Sequence, residues 1–313
     1  MKLQYNAQQL EIMKYIGEPI NNNLPVPVEI AEIADVHTVE PGEKTWYYAS
    51  QDTDDDEIYQ VNTSTGALTL VKRSPMDVTE LSFQGLNSKK EYVLLDSVMD
   101  SPDQQVLGRK KSRLAHALDK LELRLILAAI TASDAVNTVT LDSGEDLYDV
   151  IVQAKQGLED RGDNFILLAG TSVSNKLDVY DKDNASTFNY NPTIRDKIAK
   201  MGVKVVKIFG SVKYTGDESM TALLDAEKFI MVARNSRIAD GKPLAFVRRK
   251  ISPQIAQFMG ADVDNVQRAL ILDQTPTNVS GTDTLGYGII AYESIIWAIV
   301  SPSGICKCTN DVV

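Results

Sequence analysis

The stretch SPDQQVLGRKKSRLAHALDKLELRLILAAITAS, residues 101–133, has a pattern that predicts one long helix. The other predicted elements are arranged around this helix. An apolar stripe recurs at steps of three, four or seven residues and consists of Leu107, Leu114, Leu118, Leu121, Leu125 and Ala128. Ser101 is the predicted N-cap, Pro102 fits the first turn, and Asp103 suits the positive end of the helix dipole. At the standard rise per residue this helix would be roughly 45 Å long. We therefore expect it to span the molecule, and we term it the spine helix.

Composition and charge restrict the classes of protein that the chain can belong to. The 313 residues are 43% hydrophobic and 24% charged, which is typical of a folded protein with a sizeable core. The net charge of −11 argues against bulk attraction to nucleic-acid phosphates, although such a chain could enclose nucleic acid without adhering to it. The start of the chain carries no signal pattern, and the longest apolar stretch, 285–300, is short for a bilayer and contains Glu293. We therefore expect a soluble protein made inside the cell, with no membrane partner.

The sequence offers little catalytic chemistry. It has no GxGxxG or GxxxxGK[ST] phosphate-binding pattern, no GxSxG and no SxxK. The two histidines, His37 and His116, are far apart in sequence, and Cys306 and Cys308 are too close together to pair comfortably. We predict no disulfide, no metal, no cofactor and no enzyme. A small intracellular enzyme that uses only carboxylates remains an alternative, with the polar loop at 181–192 over a pocket.

The first hundred residues read as an arm followed by strands. Residues 6–16 predict a short helix, and Pro25 and Pro27 predict an extended path through 24–30. The arm could be a strap on its own subunit or on a neighbour, and the pattern does not separate the two. Predicted strands follow at 44–50, 57–62, 67–72 and 81–83. They alternate too little to close a core, so this excursion must lean on something else.

After the spine helix the pattern alternates between helix and strand. We predict a strand at 139–141, a helix at 145–159 capped by Ser143, and a strand at 164–169 that is buried on both faces. The predicted inner face of that helix consists of Leu147, Val150, Ile151, Ala154 and Leu158. Helices at 172–179 and 193–201 and strands at 203–209, 221–224 and 227–233 complete a predicted α/β lobe, 163–241. An alternating pattern at 244–249 predicts a strand that leaves this lobe, and β-rich sequence at 261–274 and 286–300 should pack against the spine helix.

Two charged stretches form the predicted interface. An acidic run contains Asp52, Asp54, Asp55 and Asp56. The spacing of three of these aspartates resembles the start of an EF-hand calcium loop, but Glu57 stands where that loop needs glycine, so a calcium site is excluded. A basic block on the spine helix consists of Arg109, Lys110, Lys111 and Arg113. The block is either a solvated helix face or a docking point for the acidic run, within the chain or from a neighbouring copy. With Trp46 and Tyr47 of the aromatic strand, these are the predicted subunit-interface residues.

The order of these elements resembles the tailed-bacteriophage major capsid protein family. The stretches that carry the resemblance are LELRLILAAI at 121–130, NFILLAGTSVSNKL at 164–177, DAEKFIMVARN at 225–235 and YGIIAYESIIWAIVSP at 287–302. The resemblance implies an α+β fold, the tailed-phage major capsid protein fold. It has an N-terminal arm (1–45), an extended β-hairpin loop (46–100), a peripheral domain with the spine helix (101–162 and 242–313) and an inserted axial domain (163–241).

The resemblance also implies a function. Such proteins self-assemble as hexamers and pentamers into an icosahedral shell that encloses double-stranded DNA, so the expected location is the virion, after assembly in the host cytoplasm. The implied partners are further copies of the chain and scaffolding, portal and decoration proteins, and the DNA would be enclosed without sequence-specific binding. An encapsulin, a cellular nanocompartment with the same fold, is the alternative shell protein.

Overall fold

The structure is a computed structural model that describes residues 26–49, 78–94, 104–140, 146–179, 192–214, 216–234, 241–252, 267–272, 277–279 and 285–309. Outside these residues lie the predicted helix at 6–16, the strands at 57–62 and 67–72, the acidic run, all but the last residue of the loop at 181–192, and the caps Ser101 and Ser143.

The elements alternate between strands and helices along the described chain. The first half contains α1 (Val28–Ile33), β1 (Ala34–Val39), β2 (Thr45–Ala49), β3 (Val78–Ser82), β4 (Gln84–Asn87), β5 (Glu91–Leu94), the spine helix α2 (Gln104–Ala132), β6 (Asn137–Val139) and α3 (Leu147–Gln156). The second half contains β7 (Phe165–Ala169), α4 (Thr171–Leu177), α5 (Ile194–Lys200), β8 (Val203–Lys207), β9 (Ser211–Val212), β10 (Thr221–Ala222), β11 (Phe229–Ala233), β12 (Leu244–Arg249), β13 (Arg268–Leu272), β14 (Thr277–Asn278), β15 (Leu285–Ile299), a 3₁₀ turn (Pro302–Gly304) and β16 (Ile305–Cys308).

The spine helix is confirmed as one element of 29 residues, about 43 Å long. Leu114, Leu118 and Leu121 are buried, as the stripe predicted. Ala128 is exposed, which corrects the end of that stripe. The C-terminal half instead buries Leu123, Ile126, Leu127 and Ile130, because apolar residues of two different sheets cluster with this part of the helix.

The larger sheet has seven strands and is organised by β15. On one side β15 pairs with β12, β13 and β14, and on the other with β4 and β5. Its 15 residues extend roughly 50 Å, about the length of the spine helix that packs on it. The strands β4 and β5 were not predicted, and β12 is buried on both faces instead of alternating.

The described part of the arm belongs to this sheet. The strand β1 pairs in parallel with β12, and Ile30, Ile33 and Ala34 have no exposed surface. The predicted extended path through 24–30 is wrong from Val28 onwards, because Val28–Ile33 is a helix that begins directly after Pro27. Proline is tolerated there because the first helical residues need no backbone donor. Residues 28–39 therefore pack on their own subunit.

The strands β2 and β3 form an antiparallel pair with Thr45 opposite Ser82 and Ala49 opposite Val78. This pair is the base of the predicted hairpin loop. Its inner face, formed by Trp46, Tyr48 and Leu81, packs on Ala245, Ala298 and Val300 of the larger sheet. The base of the excursion thus leans on its own chain.

The smaller sheet has the strand order β6-β16-β11-β7-β8. The strands β7 and β11 are buried throughout, which confirms the predicted strand at 164–169. Alternate residues divide between two cores, so that Ile166 and Leu168 cluster with the spine helix while Phe165 and Leu167 cluster with the residues of α3, α4 and α5. This sheet takes β6 and β16 from outside 163–241, so its core extends beyond the predicted lobe.

Two local predictions in this region need correction. The helix α3 begins at Leu147, with Asp146 accepting a hydrogen bond from the amide of Tyr148, so the cap is Asp146 and not Ser143. The five residues predicted for its inner face are all buried, although Leu158 lies just beyond the end of α3. The turn after β7 requires glycine, because a Cβ on Gly170 would lie 2.1 Å from the carbonyl oxygen of Asp225.

Candidate subunit interface and buried charge cluster

The basic block of the spine helix lies beside β5. Lys110 donates a hydrogen bond from Nζ to the carbonyl oxygen of Tyr92, and a guanidinium nitrogen of Arg113 lies 3.5 Å from Glu91 Oε1. Arg109 is exposed. The side chain of Lys111 lies outside the described residues, as do Asp52, Asp54, Asp55 and Asp56. The interface role of the block stays a prediction.

The two predicted aromatic interface residues occupy opposite faces of the hairpin base. The ring of Trp46 stacks on Tyr48 at a centroid distance of 5.8 Å and faces its own sheet. Tyr47 is 58% exposed, and its hydroxyl donates to Glu80 Oε1 at 3.0 Å. Val78 is exposed beside Ala49 on this strand pair. The face of the strand pair that contains Tyr47 is thus exposed, and its predicted interface role stays a prediction.

The junction between the spine helix and the larger sheet contains a buried charge cluster, defined by Asp119, Glu122, Arg248, Arg268 and Glu293. Arg248 on β12 binds Glu122 of the spine helix through two hydrogen bonds, from Nε at 2.9 Å and from Nη2 at 2.7 Å. The side chains of Arg248 and Glu122 are 1% and 0% exposed. This paired geometry satisfies both charges away from water.

Arg268 on β13 connects the remaining members of the cluster. It donates from Nε to Glu293 Oε2 at 2.6 Å and from Nη1 to Asp119 Oδ1 at 2.8 Å, and its Nη2 lies 3.3 Å from Glu122 Oε1. Burial and the nearby charge of Glu122 raise the pKa of Glu293 to about 7. Burial alone would lower the pKa of Arg268, but its three carboxylate neighbours raise it.

Two further polar contacts connect the spine helix to the smaller sheet and to the β9–β10 hairpin. Lys307 on β16 donates from Nζ to the carbonyl oxygens of Thr131 and Ser133, each at 2.7 Å, at the end of the helix. Arg124 binds Asp217 beside that hairpin, with Nη2 to Oδ1 at 3.1 Å. Hydrogen bonds from Arg124 and from the amide of Tyr214 lower the pKa of Asp217 to about 2.

Sequence reasoning missed these charged side chains. Glu122 and Glu293 were available signals, since each lies within a largely apolar stretch, whereas Arg248 and Arg268 stand at the ends of such stretches. A charged residue within an apolar run suggests a buried, paired charge, but the partner becomes visible only when the strands are paired.

The described residues give limited support for a small-molecule site. One cavity of about 300 Å³ is lined by Asn164, Phe165, Ile166, Gly202, Lys204 and Arg234. Both of its cations pair with Glu32, through Lys204 at 2.8 Å and Arg234 at 3.2 Å.

Among the described residues no group of three or more His, Cys, Asp or Glu side chains could hold a metal ion. Burial raises the pKa of the Cys306 thiol to about 12, so it is not an activated nucleophile.

None of the helices in the described ranges combines the length and the apolar character needed to cross a membrane.

Comparison with known proteins shows similarity in structure and not in sequence. No protein-family model matches the chain, and no curated protein matches it. A virus-like particle from Pyrococcus furiosus aligns over 96% of this chain and 98% of its own, at 13% identity and a TM-score of 0.52. A protein of Microbacterium phage Oxtober96 aligns over 99% and 93%, at 13% identity and a TM-score of 0.53. The capsid of an empty GTA particle aligns over 91% and 90%, at 10% identity and a TM-score of 0.53.

These alignments extend over nearly the whole of both chains, so they concern the complete arrangement and not one sheet. The chain has the mixed α+β capsid fold, as the resemblance predicted.

Proposed function

We propose that the chain is a major capsid protein, whose copies assemble as hexamers and pentamers into an icosahedral shell around double-stranded DNA. The observation that carries the proposal is the near-complete alignment with proteins of shell-like particles. Because the alignments cover nearly the whole chain, the described residues include no additional domain that would suggest another activity. Shell proteins of this kind act by repeating one contact many times, so that weak contacts add up.

The charge of the chain supports enclosure of DNA without tight binding. A net charge of −11 opposes general attraction to phosphate, which needs clustered cations. The described cations are largely paired within the chain, as Arg124, Arg248 and Arg268 illustrate. Packaged DNA could therefore move within the shell. Under this proposal scaffolding, portal and decoration proteins are further partners, the virion is the final location, and assembly takes place in the host cytoplasm.

The contact between copies is proposed to join the acidic run at Asp52–Asp56 to the basic block at Arg109–Arg113, with Tyr47 at the same interface. Charge complementarity between the run and the block supports this arrangement. Arg109 is exposed, whereas Lys110 and Arg113 already have partners on β5. Arg109 is therefore the cleanest residue of the block to test.

The decisive experiment is the size of the purified full-length chain. We expect megadalton shells, or capsomers that form shells, by light scattering after size-exclusion chromatography and by electron microscopy. A chain that stays monomeric at high concentration and over a range of salt would overturn the proposal.

A charge-reversal experiment tests the interface. Arg109→Glu should lower the yield of assembled particles at low salt, and adding Asp54→Lys should restore part of it. Lys200→Glu is the matched control, because Lys200 is an exposed helical cation on α5, away from the block. Full assembly of the Arg109→Glu chain at low salt would remove this interface from the proposal while leaving shell formation intact.

The second candidate is an encapsulin-type compartment that encloses a protein. The alignment with a virus-like particle from Pyrococcus furiosus keeps this candidate open, because a virus-like particle is a shell that need not be a virion and its TM-score of 0.52 is within 0.01 of those of the phage and GTA matches. The contents of particles purified from the native source distinguish the two. Nuclease-protected double-stranded DNA supports the capsid protein, and one stoichiometric enclosed protein without DNA supports the compartment.

A further inference from the structure

We propose that the buried charge cluster is a proton-controlled latch: Glu293 carries a proton in the folded chain, and loss of that proton loosens the contact between the spine helix and the larger sheet. The inference concerns the folded chain itself and does not depend on what the shell encloses.

The proposal rests first on the charge count. Two guanidinium groups, Arg248 and Arg268, face three carboxylates, Asp119, Glu122 and Glu293. With all five ionised the cluster would carry one excess negative charge, although four of its members are 2% exposed or less. An uncompensated buried charge is costly, and one bound proton removes it.

The hydrogen bonds indicate where the proton resides. Glu122 receives two hydrogen bonds from Arg248 and a third close contact from Arg268. Asp119 is 33% exposed and can be solvated. Glu293 receives only the Nε hydrogen bond of Arg268, and its Oε1 is buried without a hydrogen-bond partner among the described residues. Glu293 is thus the least stabilised carboxylate and Oε1 the oxygen free to bind a proton.

The surroundings of Glu293 contain no further described charge that would replace the proton. The spine helix contributes Asp119 and Glu122, β12 contributes Arg248, and β13 contributes Arg268 as the direct cross-strand partner of Glu293. On its other side Glu293 pairs with Leu86 of β4, which is apolar. Two acidic neighbours on the helix mean that an ionised Glu293 would repel the spine helix across the junction.

The direction of the pH effect follows from the raised pKa. The pKa of Glu293 rises from an ordinary 4.5 to about 7 in the folded chain. The folded state therefore binds more protons than the unfolded state between these values, and the stabilisation is complete below pH 4.5 and is lost as the pH rises through about 7. The latch is closed in mild acid and weakened in mild alkali.

Infrared spectroscopy of the full-length chain with ¹³C-labelled glutamate tests the proton directly. At about pH 6.5 ordinary glutamate carboxyl groups are almost fully ionised, so we expect a residual carboxylic-acid C=O band that disappears by about pH 8. The band should be nearly absent in Glu293→Gln and present in Glu159→Gln, a control at an exposed glutamate. Absence of a protonated-glutamate band in the wild-type chain at about pH 6.5 would overturn the proposal, and this arm needs no variant to fold.

Hydrogen exchange tests the consequence for the junction. After correction for the intrinsic pH dependence of exchange, we expect the spine-helix amides near Glu122 to lose protection between about pH 5.5 and about pH 8 in the wild-type chain. In Glu293→Gln the protection should not change over this range, because the amide stays neutral. Equal loss of protection in both chains would show that the junction does not respond to this proton.

Discussion

Arg248 and Arg249 are consecutive residues of one strand with opposite roles, and they provide a matched pair of substitutions. Arg248 is buried against Glu122, while Arg249 is partly exposed and donates to the carbonyl oxygen of Glu43. Arg248→Met should lower the free energy of unfolding by about 3–5 kcal/mol, because it leaves Glu122 poorly compensated in the core. Arg249→Met should cost about 1 kcal/mol or less. Urea unfolding measures both, and equal costs would contradict the buried pairing.

Asp217 provides a second prediction, which concerns acid. Its pKa of about 2 lies below the ordinary 3.8 because Arg124 and the amide of Tyr214 donate to its oxygens. The stabilisation is present above pH 3.8 and is lost as the pH falls through about 2. The difference in free energy of unfolding between wild type and Asp217→Asn should thus be constant near neutral pH and shrink in acid. Asp134→Asn controls for loss of an exposed charge, and a difference that persists to about pH 2 would contradict the contact.

Residue-level prediction from sequence succeeded where burial follows one period. The four predicted inner-face residues that lie within α3 are all buried, because a single face of that helix is buried, and the fifth, Leu158, is buried just beyond its end. The predicted burial of Ala128 was wrong, because residues of two sheets pack around the end of the spine helix and the buried face of the helix widens and shifts there. Glu293 was noted only as an obstacle to a membrane span, since a periodic pattern cannot show that Arg268 lies opposite it.

The end of the spine helix depends on β16, and this dependence can be tested at the level of elements. Lys307 supplies two hydrogen bonds to carbonyl oxygens that the helix cannot satisfy itself. Lys307→Met should lower the free energy of unfolding by about 1.5–3 kcal/mol and increase hydrogen exchange in the last helical turn. Lys204→Met is the control, because Lys204 is a strand lysine whose side chain is 55% exposed. Unchanged exchange in that turn would argue against the clamp.

The elements that the sequence predicts are those with strong local patterns. The spine helix and β7 are long or wholly apolar, and each is recognisable without its neighbours. The short strands β4, β5 and β16 were missed, because they exist through pairing with distant partners such as β15 and β11. Their own four-residue sequences carry too little pattern to predict a strand.

At the scale of the whole molecule, the chain order was predictable and the sheet order was not. The resemblance implied the succession of arm, excursion, spine and lobe, and the fold class that it implied is confirmed. The final strand β16 inserts between β6 and β11. The larger sheet contains strands from before β6 and from after β11, so the chain completes the smaller sheet last. The two sheets and the spine helix share one core, which implies that they fold together.

The base of the predicted hairpin loop is held by the chain itself, so shortening the loop should separate folding of the chain from the proposed assembly. Ala49 and Val78 are directly paired, so residues 50–77 can be replaced by Asn-Gly, which closes a two-residue turn. Trp46, Tyr48 and Leu81 would still pack on the larger sheet, and we expect unchanged circular dichroism and a cooperative unfolding transition. The shortened chain lacks the acidic run, so it should not form particles under conditions in which the wild-type chain does. Trp46→Ala in the shortened chain should destabilise it, because the base loses its main contact. Particles of wild-type size from the shortened chain would show that neighbouring copies are joined through other surfaces.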